Sequence, residues 1–168
     1  MTMFTSGEML AELAQESVVT RVALERVPEA KYGWRPHPKA QTAGQLAYHV
    51  AVIPMALAGV AMQERFLAGH QPPRPEPASR AELLGLFDQS VARARELLGA
   101  LDQAGLEAPW QLVQGDRVIL TIPRHAFIRT ILFNHWYHHR GQLSTYLRLL
   151  DVAVPPIYGP SADEQPFG

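Results

Sequence analysis

Apolar and small positions recur at alternating steps of three and four in four separate stretches of this chain, the spacing that lines one face of an α-helix. In the first, Leu10, Leu13, Ser17, Thr20, Leu24 and Val27 follow Thr5-Ser6-Gly7-Glu8, which has the form of a capping box. They predict a helix from about Gly7 to Val27, ended by Pro28. A second box, Thr42-Ala43-Gly44-Gln45, opens a stripe of Leu46, His49 or Val50, Ile53, Leu57 and Val60, with Pro54 expected to kink the helix. A third, Ser79-Arg80-Ala81-Glu82, opens Leu83, Phe87, Ser90 or Val91, Ala94, Leu98 and Leu101. The fourth helix starts at Pro123, which suits a first turn, and runs to about Leu150. Its inward stripe reads Ile128, Ile131 or Leu132, His135, His139, Gln142, Tyr146 and Leu149.

The connections have their own signals. Pro36-His37-Pro38 keeps the first extended, and Trp34 within it is suited to covering one end of the core. Four prolines between Pro72 and Pro77 make the second stiff and extended. In the third, two β-prone runs around Gln114-Gly115-Asp116 suggest a short hairpin near Val113 to Ile119, which must pack on the helices to persist. The proline-rich tail from Val154 to Glu164 is expected to lie over the helices. Gly141, inside the last helix, costs about 1 kcal/mol relative to alanine, so a close neighbour is expected there. Taken together, the pattern predicts one all-α domain over residues 1–168, a four-helix bundle with long connections.

Composition narrows the function. With 47% hydrophobic residues among 168, the chain has material for a sizeable core. Its 15 basic and 16 acidic residues form no long run of either sign, which argues against a nucleic-acid partner. No stretch is read as a bilayer span or a secretory leader, so no membrane partner and a cytoplasmic location are expected. The absence of cysteine excludes disulfides, thiolate metal sites and a cysteine nucleophile. Histidine and carboxylates remain as metal ligands.

The candidate chemistry centres on Phe133-Asn134-His135-Trp136-Tyr137-His138-His139-Arg140-Gly141-Gln142-Leu143. His135 and His139 are one helical turn apart, so their rings point to one side and could converge on a single ion, while His138 points about 100° away. His49 lies on or beside the inward stripe of the second helix. A buried imidazole needs a hydrogen-bond partner or a metal, so the three are either separately satisfied core residues or one metal site. His37, His70 and His125, in connections or at a helix start, read as surface residues.

Trp34-Arg35-Pro36, Gln45-Leu46-Ala47-Tyr48-His49-Val50, the His135-x-x-x-His139-Arg140-Gly141-Gln142-Leu143 run and the Val154–Glu164 tail together resemble the DinB and YfiT-like superfamily of bacterial metal-binding four-helix bundles, across nearly the whole length. The resemblance implies an up-down-down-up bundle, commonly a homodimer, with a nickel or zinc ion held by His49, His135 and His139 and completed by water. It implies for His138 a hydrogen-bonding role at the site's edge or across a subunit contact. Relatives of this kind include thiol-dependent transferases and isomerases. The expectation is therefore transfer to a small electrophilic substrate by a low-molecular-weight thiol or activated water, with a non-catalytic metal-binding stress protein as the alternative. No catalytic side chain beyond the ligands is singled out.

Overall fold

The computed structural model describes residues 5–69 and 75–165; His70 and the first two prolines of the second connection lie outside them. In chain order the elements are α1 (Ser6–Glu25), α2 (Ala43–Ala61), β1 (Arg65–Leu67), α3 (Arg80–Gly99), α4 (Gln103–Glu107), β2 (Pro109–Gln114), β3 (Arg117–Pro123), α5 (Arg124–Phe127) and α6 (Asn134–Leu149), with a π-helical turn at Ile128–Phe133 leading into α6. Helix α2 packs against α3 and α6, and α1 packs against α3 and α6 in turn. By length and composition α2 is apolar enough to cross a bilayer, contrary to the sequence expectation. Its apolar side chains are instead those of a core helix: Leu46, Ala47, Val50, Ala51, Ile53, Ala58 and Ala61 are all buried.

The helix starts follow the sequence. Thr5 and Thr42 each accept a hydrogen bond from the backbone N–H three residues on, and Glu8 and Gln45 reach back to complete both capping boxes. At α3 only half of the expected box forms: Ser79 caps Glu82, while the Glu82 carboxylate takes the N–H of Ala78.

The helix faces differ from the stripes more than the helix ends do. In α1 the buried set is Met9, Leu13, Glu16, Thr20, Ala23 and Leu24, while Leu10 and Ser17 are only half-buried, Leu10 packing against the edge of the core. In the last helix the buried set is Ile128, Leu132, Phe133, Trp136, His139, Arg140, Leu143 and Leu147, whereas Ile131, Gln142 and Leu149 are exposed. Both corrections have one cause. Glu16 and Arg140 are charged and so are scored as outward by pattern, but they pair with each other in the interior at 2.6 Å. Arg140 Nη1 also donates to Thr20 Oγ1 at 3.0 Å, and Tyr158 from the tail donates to Glu16 at 3.0 Å. The guanidinium lies over the rings of Tyr137 and Tyr158. The expected single helix from Pro123 is also interrupted, since the π-helical turn separates α5 from α6.

The all-α expectation needs one further correction. The hairpin forms, with β2 and β3 antiparallel around Gly115, whose positive φ of 56° suits glycine. A third strand, β1, then adds in parallel to the other edge of β2. It supplies partners for backbone groups that a two-stranded ribbon would leave open: Gln111 N–H donates to Glu64 and Ala68 N–H donates to Val113. Trp110 anchors the sheet, stacking on Phe127 at 4.2 Å between centroids and donating its indole N–H to the carbonyl of Val60.

The tail lies over the helices as expected. Val152 and Val154 pack against the core, and Asp163 bonds the guanidinium of Arg148 and the N–H of Val154. Glu164 pairs with Arg26.

Candidate metal centre

Two backbone irregularities place α2 against α6. Pro54 has no N–H to give the carbonyl of Val50, and the indole N–H of Trp136 donates to that carbonyl instead, at 3.0 Å. One residue on, the N–H of Met55 is taken by Ser90 Oγ of α3 at 3.0 Å. Helix α2 therefore runs through its proline with these backbone groups paired to its two neighbours. Val50 follows His49 and Trp136 follows His135, so the same bond brings the two histidines into register.

His49 Nε2 and His135 Nε2 are 3.1 Å apart. His139 completes the group: its ring centroid is 4.5 Å from that of His49 and 4.4 Å from that of His135, and the three rings stand nearly perpendicular to one another. One nitrogen from each residue can be chosen so that all lie within 4.8 Å of one another. Ligands about 2.05 Å from a tetrahedral ion are separated by roughly 3.3 Å, so the 3.1 Å pair fits such an ion and the third nitrogen is within reach of one. His139 is buried while His49 and His135 are half-buried, which leaves one side of the group accessible.

The orientation of His139 is fixed by a residue the sequence reading placed on the inward stripe without a role. His139 Nδ1 lies 2.7 Å from Gln142 Oε1. An amide oxygen only accepts, so Nδ1 carries the proton and Nε2 keeps its lone pair for a metal. The signal in the sequence was the three-residue step from histidine to glutamine.

Among the described residues, the other histidines are not drawn in. His138 is exposed, with its ring centroid 4.9 Å from that of His139. His37 is exposed and accepts from the N–H of Lys39, and His125 is half-buried, 3.6 Å from Glu107. Among the tryptophans, Trp136 is fully buried and its N–H is taken, so it cannot line an open site. Trp34 is half-buried and meets Tyr146 edge-on at 5.7 Å, two turns along α6 from His139. Between α1 and α6, Tyr137 donates to Glu12 at 2.5 Å; burial, and then its bond to Glu12, raise its pKa well above that of a free phenol. That hydroxyl is a structural donor.

Among the described residues the expected close neighbour of Gly141 is absent: a Cβ built there meets nothing within 4 Å.

Comparison with known proteins agrees with this architecture. A DinB-like protein of Bacillus cereus ATCC 10987 superposes with a TM-score of 0.72 at 24% identity, covering 92% of this chain and 98% of that one. The DinB-like protein YjoA of Bacillus subtilis gives 0.68 at 17% identity, covering 89% and 96%. At these identities the likeness is one of fold. No curated protein matches the sequence. The profile of the DinB family matches residues 1–166, and with its helices and its three converging histidines the chain belongs to that family.

Proposed function

We propose that the protein is a divalent-metal protein whose ion, nickel or zinc, is held by His49, His135 and His139 in an up-down-down-up four-helix bundle located in the cytoplasm. The observation that carries this reading is the convergence of three imidazole rings from two helices, with one of them held by Gln142 in the tautomer a metal requires. Three neutral nitrogen donors suit these ions, and a three-histidine set leaves a position for a further ligand.

Within that reading the favoured activity is transfer or isomerisation of a small electrophilic substrate by a low-molecular-weight thiol or by water. A bound ion would supply the charge that lets such a nucleophile lose its proton near neutral pH. The chain's own contribution is geometric. Gln142 holds His139, the Trp136–Val50 bond holds His135 beside His49, and the half-buried His49 and His135 leave an approach from solvent. That approach favours catalysis over the alternative of a non-catalytic metal-capturing stress protein, in which sealing by the tail would be expected. The tail is fastened instead to Arg26, Arg140 and Arg148.

Metal analysis of untagged protein tests the site. His49→Ala, His135→Ala and His139→Ala should each lose the ion, and His138→Ala should keep it. Equal metal content in all four variants overturns the assignment. A conjugation screen with thiols and electrophiles, run on metal-stripped and reloaded protein, tests the activity. Turnover that returns with the ion supports the enzyme; full metal binding without turnover moves the reading to metal capture.

A further inference from the structure

Two guanidinium groups are buried among the described residues, and they are held differently. Arg140 has the carboxylate of Glu16 at 2.6 Å. Arg124, 8% exposed at the start of α5, is held by carbonyls: Nε donates to Ala61, the last residue of α2, and Nη1 donates to Gly105 in α4. The negative end of the α2 dipole offsets part of the charge. A carbonyl is neutral, however, and satisfies a donor without cancelling a charge. A buried cation held in this way favours an anion beside it.

The space for one adjoins the guanidinium. Arg124, Arg65, Glu64, Gln111, Ala108 and Pro109 line a cleft of about 330 Å³. Among the described residues Nη2 of Arg124 has no acceptor, yet it is not one of the sealed polar atoms without a partner, which are the Tyr32 hydroxyl and the Gln41 side-chain oxygen. It is therefore open on the cleft side. The sheet builds the facing wall: Arg65 of β1 lies beside Gln111 of β2, and Gln111 lies beside Thr121 of β3, with its amide nitrogen 3.5 Å from the Thr121 hydroxyl. The N–H of Arg124 donates to Ala108 and that of Gln111 to Glu64. These two backbone donors are already paired, so recognition falls to the side chains.

We infer that this cleft binds a small monocarboxylate, with the carboxylate on Arg124 and with Arg65 beside it. Charge selects the class: two arginines against one glutamate leave the lining with one net positive charge, which a single negative charge cancels. A phosphate dianion would carry a second charge toward Glu64. A planar carboxylate also matches a planar guanidinium, while Ala108 and Pro109 offer apolar surface to the rest of the ligand. The volume stands at the small end of ligand sites, so the ligand is small. From His49 to Ala61 helix α2 rises about 18 Å. The cleft is thus separate from the candidate metal centre, and the inference does not rest on a metal.

Benzoate, its neutral isostere benzamide and inorganic phosphate are the probes, titrated at constant ionic strength into isotope-labelled, full-length protein. Benzoate should shift the Nε–H resonance of Arg124 and the side-chain amide of Gln111 with a Kd of about 1 mM or tighter. Benzamide and phosphate should bind about tenfold or more weakly. Arg124→Lys keeps the charge but loses the planar fork, and should weaken benzoate by about tenfold. Because Arg124 also holds Ala61 and Gly105, two exposed positions provide variants that leave those bonds in place. Glu64→Gln should tighten benzoate about three- to fivefold and Arg65→Gln should weaken it by a similar factor, the effect of one exposed charge a few ångströms away. Equal affinity for benzoate and benzamide, tighter binding of phosphate, unshifted Arg124 and Gln111 signals at about 20 mM benzoate, or an affinity unchanged in both exposed variants overturns the inference.

Discussion

Trp136 Nε1 donates to the carbonyl of Val50 at 3.0 Å, and that carbonyl is the one Pro54 leaves without its helical donor. A gap in the hydrogen-bond ladder of one helix is thereby filled by a side chain of another. The replacement bond sits one residue from His49 on α2 and one residue from His135 on α6, so local backbone chemistry sets the distance between two candidate ligands.

Trp136→Phe should therefore destabilise the fold by about 1–3 kcal/mol, the cost of leaving a buried carbonyl unpaired, with the lost ring volume as a smaller addition. Adding Pro54→Ala restores an N–H at position 54 and should recover part of that loss. Urea denaturation of the two single variants and the double variant measures the coupling. Strict additivity would show that the Trp136 bond does not substitute for the proline's missing donor.

Gln142→Ala removes the acceptor that holds His139 Nδ1 but removes no ligand. Metal affinity should fall about 10–100-fold, the range seen when such an orienting partner is lost. Competition against a chromogenic chelator would register the change, and an unchanged affinity would assign Gln142 to the surface alone.

Arg140 and Glu16 form a buried pair, 2.6 Å apart, between α6 and α1. Glu16→Ala leaves the guanidinium buried without its counter-charge and should cost about 3–5 kcal/mol. Replacing both residues by methionine should cost much less, because desolvation of both charges is avoided. Thermal denaturation of the two variants beside the parent separates the two cases.

The tail should loosen on acidification. Hydrogen bonding to Arg148, and next to the N–H of Val154, lowers the pKa of the Asp163 carboxyl below its ordinary 3.8. A lowered carboxylate contributes stability that is fully present above the unfolded value and is lost as pH falls through the folded one. Tail attachment should therefore be intact from neutral pH down to about 4 and be released below it. Amide exchange at Val154, followed against pH, should show that order, and Asp163→Asn should exchange faster already at neutral pH.

The sequence by itself determined the helix starts, because capping depends on side chains within three residues of one another, and it determined the His135–His139 pair, because a four-residue step on a helix places two rings on one side. It also marked the hairpin through Gly115. Tertiary structure alone decided which face of each helix is buried. The charge of Glu16 and of Arg140 argues outward when each is read separately, and only their meeting across α1 and α6 makes burial of both favourable. The same holds for β1, whose three residues become a strand because β2 offers an edge, and for the bond from Trp136 to Val50, which joins residues 86 positions apart. Periodicity reports what one element does with its own neighbours. The spacing of His49 from His135 was fixed by a proline on one helix and an indole on another, a relation that no periodicity within either helix contains.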